Sequence, residues 1–167
     1  MSAMKKEVFD DENIILHETE LRAAKKTEYA VLRNKEKREL FWNRMAELFD
    51  NHNITVFSAV INPKKHRNLF NSKYLNDEYS ICLEIVLEQY AHFLEKNNAV
   101  GCVCIESQNT KTDLNVGLQI ADFIPNTLKK YIHSLPQKKP SIENSIMSKL
   151  YDGGISEPNE FGVKNLN

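Results

Sequence analysis

Glu106 and Asp122 are the residues whose type and setting in this chain could do chemistry. Glu106 ends the apolar run Val100-Gly101-Cys102-Val103-Cys104-Ile105, and the carboxyl end of a central strand is where open α/β sheets present ligands. Asp122 shares a polar helical stripe with Asn115, Gln119 and Asn126, so a helix packed on the sheet would aim it at Glu106. Paired carboxylates supply the oxygen ligands that a hard divalent cation such as Mg²⁺ or Mn²⁺ takes. The same spacing also allows an alternative, in which Glu106 ends a strand in solvent and Asp122 lies on a solvated helix face.

The elements that must position these residues are readable from apolar periodicity. Leu40, Phe41, Met45, Leu48 and Phe49 recur at helical spacing between Lys35 and Asp50, and Asn51-His52-Asn53 follows as a stop. Ile54 to Ile61 is nearly continuous in apolarity and rich in β-branched residues, as in a strand covered on both faces, and Asn62-Pro63 ends it. Tyr79 to Lys96 carries Ile81, Cys82, Ile85, Val86, Gln89, Phe93 and Leu94 along a helix, and the Val100 to Glu106 run begins a second strand at once. Strand, helix and strand in that order predict a parallel crossover unit, hence an α/β fold with a small central sheet flanked by helices. A further amphipathic helix over about Asn115 to His133 should bury Ile120, Phe123, Ile124, Thr127, Leu128 and Tyr131, with Pro125 kinking or dividing it. Ile14 to His17 reads as an edge strand or an extended entry segment. Residues 1–135 are expected to form one domain. Residues 136–167 are expected to form a linker, a short helix from Ser141 to Leu150, a turn at Asp152-Gly153-Gly154 and a mobile tail.

Composition narrows the partners. With 22 basic against 23 acidic residues and a net charge of -1, overall charge does not single out a polyanion or a membrane surface. The amino terminus has no apolar run behind its lysines, and no stretch reaches the roughly eighteen apolar residues of a membrane span. A cytoplasmic protein without membrane contact is expected. The cysteines are Cys82, Cys102 and Cys104, and no second Cys or His pair offers zinc spacing, so buried packing is their expected role. Lys25-Lys26, Arg33 to Arg38 and Lys64-Lys65-His66-Arg67, with Tyr29, Trp42 and Tyr74 near them, would suit a phosphate backbone and stacked bases, or equally well solvated helix faces.

The phrase Leu118-Gln119-Ile120-Ala121-Asp122, following Lys111 and Asn115, resembles the Gln-x-Ala-Asp helix of a widespread bacterial family, domain of unknown function 3800. Ile14-Ile15-Leu16-His17-Glu18-Thr19-Glu20-Leu21-Arg22 is similar to that family's apolar-His-x-x-Glu-Ile-Arg element, Phe57 to Lys64 to its middle strand, and Val103 to Ser107 to its strand ending in Glu. These segments stand in the family's order and cover most of the chain from about Val8 to Tyr131. The resemblance implies a partial ribonuclease-H-like fold and a hydrolase acting on the phosphodiester bonds of nucleic acid, with Mg²⁺ or Mn²⁺ held by Glu106 and Asp122. It further implies substrate contacts from Lys111 and Gln119, with His17 or Glu20 as proton carrier or third ligand. Two departures bear on that activity. The family's first strand, with its Asp-Glu-Ser-Gly, has no match before His17, and the interval between Glu106 and Gln119 is shorter than in the family. Two-metal hydrolysis needs several carboxylates to fix ions about 3.5–4 Å apart. The competing expectation is a non-catalytic remnant or interaction module whose exposed sheet edge pairs with another chain, either one supplying the missing strand or a second copy. A separately encoded first strand would combine the two.

Overall fold

Helices carry most of this chain. In the computed structural model, which describes residues 1–64, 78–103, 115–136, 140–153 and 163–166, α1 (Ser2–Phe9), α2 (Glu18–Ala23), a 3-10 segment (Thr27–Arg33) and α3 (Lys35–Asn51) come first. Strand β1 (Ser58–Ile61) and α4 (Glu78–Lys96) follow, then α5 (Val116–Ala121), α6 (Ile124–Ile132), α7 (Pro140–Met147) and strand β2 (Val163–Leu166). The architecture is α/β and mostly helical. Two compact units interleave along the sequence: Met1–Asn53 with Cys104–Ser148, and Ile54–Val103 with Lys149–Asn167. A boundary at 135 does not separate them, because α7 packs against α3 and α6 in the first unit while β2 belongs to the second.

In the first unit, α3 begins at a cap of ordinary chemistry. Asn34 stays extended, and its side-chain oxygen accepts from the Lys37 amide at 3.1 Å, satisfying one of the four amides a helix start leaves over. Asn34→Ala should destabilise the protein by about 1 kcal/mol, and Asn34→Ser should restore most of it; urea unfolding of the two variants checks both. The apolar stripe of α3 buries Phe41, Met45, Leu48 and Phe49 as its periodicity predicts, and Trp42 and Ala46 widen it. α7 covers this stripe with Ile142 and Ile146, both fully buried.

The predicted Asn115–His133 helix is divided as Pro125 requires. α5 stops at Ala121, Asp122 and Phe123 turn, and Pro125 stands in the first turn of α6, where a missing amide hydrogen costs nothing. Phe123, Thr127 and Leu128 are buried, Ile120 and Ile124 are half-buried, and Tyr131, near the end of α6, is exposed.

The sheet of the second unit corrects the expected strand-helix-strand core. β1 lies within the predicted Ile54–Ile61 strand, yet its parallel partner is β2, with Ser58 opposite Val163 and Ile61 opposite Leu166. Just before β1, Val56 makes an isolated parallel bridge to a different segment, at Leu150. Residues 100–103 form no strand, and 104–106 lie outside the described residues. Gly101 instead meets α4: a Cβ there would lie 1.9 Å from the Tyr90 hydroxyl, so no larger residue fits without displacing the ring. Val100 is 98% exposed and Cys102 is exposed as well, which corrects the expectation of a packed Cys102; Cys104 lies outside the described residues.

α4 follows its prediction in extent but not in burial. Gln89 is its buried residue, with neither amide atom hydrogen-bonded, while Ile81, Cys82, Ile85, Val86, Phe93 and Leu94 are half-buried. Around Phe57 the rings of Phe93 and Tyr151 meet edge to face, with centroids 5.6 and 5.1 Å from it. Tyr151 also shares a 2.9 Å hydrogen bond with His92 Nδ1.

Candidate functional site

The helix bearing Asp122 is set by its own first residues. The Asn115 side chain accepts from the amides of Gly117 and Leu118 at 2.9 and 3.3 Å. A Cβ at Gly117 would come within 3.2 Å of that same Asn115 oxygen, so glycine leaves room for the cap. Asn115 is therefore a helix cap rather than part of a ligand stripe.

From that start, residues 119, 122 and 126 fall on one side and meet the segment around His17. Gln119 Oε1 accepts from the Leu16 amide at 3.1 Å, and Asp122 Oδ2 accepts from the Glu18 amide at 2.7 Å. Asn126 Nδ2 donates to Glu18 Oε1 at 2.8 Å. Glu18 opens α2, whose N-cap His17 makes no side-chain cap bond; the Asp122 carboxylate takes up the leftover amide instead. Two of the segments that carry the family resemblance, 103 and 104 positions apart in these bonds, thus lie against each other.

Behind the contact lies a charged network that the sequence reading did not single out. Glu18 is buried and pairs with Arg22, whose guanidinium lies 4.6 Å from the centre of the Trp42 ring. Burial pushes the Arg22 pKa down, and the charge of Glu143 opposes that effect. Glu143 on α7 is completely buried; its Oε1 pairs with Lys130 of α6, and its Oε2 has no partner among the described residues. The Glu18–Arg22 spacing of four is a readable helix signal, but the matching position of Asn126 follows only once α6 is placed.

His17 itself is exposed, and Glu20 pairs with Lys26 at 2.5 Å while its Oε2 is enclosed without a hydrogen-bond partner among the described residues. Asp122 as a residue is exposed, but its inner edge faces the start of α2. That partial burial pushes its carboxyl above the ordinary aspartate value, the charge of Glu20 adds to the rise, and His17 opposes it. The structure therefore brings together His17, Glu20, Gln119 and Asp122. Glu106 and Lys111 lie outside the described residues.

Among the described residues no group of three His, Cys, Asp or Glu side chains is arranged to hold a metal ion. Two of the three aromatic residues of the nucleic-acid signal are used within the fold. Tyr29 is buried and donates from its hydroxyl to the Ile15 carbonyl at 2.6 Å, and Trp42 is buried beneath Arg22, so neither ring is presented to a base. Arg33 and Arg38 donate to the main-chain carbonyls of Ala24, Lys25, Leu32 and Arg33, a structural use of the second basic cluster. Lys65, His66, Arg67 and Tyr74 lie outside the described residues. Among the described residues no helix is long and apolar enough to cross a membrane.

Comparison with models of protein families, with curated proteins and with solved structures finds no match to this chain.

Proposed function

We propose that this chain is an interaction module that completes its sheet by pairing with another chain. The observation that carries this reading is the sheet: two parallel strands of four residues each, with no further strand beside either of them among the described residues. Parallel pairs of this size leave a row of amides and carbonyls open along each edge, and an added strand satisfies them. Leu166 on β2 is 40% exposed and would gain cover from such a strand. The engagement of Gln119 and Asp122 with the backbone of residues 16–18 agrees with a non-catalytic role. Its relationship to the ribonuclease-H-like family and its cytoplasmic location belong to the same proposal.

Light scattering after size-exclusion, combined with amide exchange, tests the pairing. Association is expected to raise the mass above 19.3 kDa, either with concentration or on adding a partner chain. It should slow exchange within 58–61 or 163–166, and Leu166→Lys should weaken it, since a charge on an edge strand opposes pairing. A monomer in which every amide of both strands already exchanges slowly would have a complete sheet and no need of a partner, and the reading would then fail.

A second reading, metal-dependent phosphodiester hydrolysis, is favoured by one observation: the enclosed, unpartnered Oε2 of Glu20, whose charge raises the Asp122 carboxyl. Cleavage of RNA or DNA in Mg²⁺ or Mn²⁺ that disappears in Asp122→Asn would support it. Equal cleavage by the two proteins, or none, would remove it.

A further inference from the structure

We infer that Gln119 and Asp122 are positioning residues: together they pin the backbone on both sides of His17 and so fix where its exposed imidazole is presented. His17 is extended, with φ -115 and ψ 114. Along an extended backbone the amides two residues apart point the same way, roughly 6–7 Å apart. Residues three apart on a helix share a face with a Cβ separation of about 5–6 Å. A Gln and an Asp at positions 119 and 122 therefore match the amides of Leu16 and Glu18 in both direction and spacing, and the observed bonds of 3.1 and 2.7 Å follow. The residue between those amides is His17. Asn126, one helical turn beyond Asp122, holds the Glu18 side chain at 2.8 Å, so the segment cannot pivot about the two amide bonds. This accounts for the residue types at 119, 122 and 126 through acceptors and a donor that the fold itself uses. It holds whether or not the sheet acquires a partner.

Amide exchange followed by NMR tests the inference directly. Gln119→Ala should speed exchange at Leu16, and Asp122→Ala at Glu18, each by about tenfold or more, the factor expected when a hydrogen bond is lost at the site. Asp122→Asn keeps a side-chain oxygen and caps helices well, so it should retain most of the protection at Glu18. The ring signals of His17 should move towards those of an unstructured histidine in the two alanine variants and stay in place in Asp122→Asn. Unchanged exchange at Leu16 and Glu18 in the alanine variants overturns the inference. So do His17 ring signals that stay put when both amides have lost protection.

Discussion

Lys130→Ala should lower the stability of the protein by about 3–5 kcal/mol, the usual cost of leaving a buried charge without its partner. Glu143 is completely buried, Lys130 is the partner of its Oε1, and among the described residues Oε2 has none, so truncating the lysine removes its one direct ion pair and leaves only the longer-range charge of Arg22. The lysine itself is nearly enclosed, with 11% of its side chain exposed, which leaves little water to replace it. The charge can be removed as well as paired: Lys130→Met with Glu143→Leu should recover most of the loss, because an apolar pair of similar volume avoids the desolvation cost of both ions. Trp42 is the single tryptophan and belongs to the same unit, so its fluorescence during urea unfolding provides the measurement. A loss below about 1 kcal/mol in Lys130→Ala, the range of an exposed pair, would mean that Glu143 finds another partner or water.

Phe41→Ala is the second large effect, expected at about 3–5 kcal/mol from lost burial and the cavity left behind. The Phe41 ring is completely buried and meets Phe9, Trp42 and Phe123 at centroid distances of 5.6, 5.0 and 6.3 Å. One side chain therefore joins α1, α3 and the turn before α6. Phe41→Leu should lose markedly less, since it keeps most of the volume, whereas Leu135→Ala, on an exposed side chain, should stay within about 0.5 kcal/mol. Equal losses from Phe41→Ala and Leu135→Ala in the same urea titration would contradict this account of the core.

What could be read in the sequence was what local periodicity encodes. The bounds of α3 and α4, the break at Pro125 and the helix near Ser141 follow from apolar spacing and a missing amide hydrogen, although that helix begins at Pro140 and Ser141 lies inside it rather than capping it. Strand pairing did not follow, because β-branched residues report an ability to form a strand and not the identity of its neighbour. β1 therefore arose in the expected run but took its partner from 163–166, a stretch whose Asn and Lys gave little signal. α2 was missed for a related reason. It is short, and the acceptor at its first amide comes from Asp122, far along the chain. The site divides in the same way. His17, Glu20, Gln119 and Asp122 were named from two segments that do meet, whereas Glu18, Arg22, Asn126, Lys130 and Glu143 gain their roles from tertiary neighbours.

The interleaving of the two units has a consequence for synthesis. Residues 1–53 leave the ribosome with the α3 stripe of Phe41, Trp42, Met45 and Phe49 already made, but Phe123, Ile142 and Ile146, which belong to the same unit, come only after the whole 54–103 stretch. Until then a nascent apolar helix has no finished core to enter, and closing so long a loop is slow. Such an interval is when a chain is most exposed to chaperones and to aggregation. The first unit therefore cannot close its core until residues beyond 103 have been made.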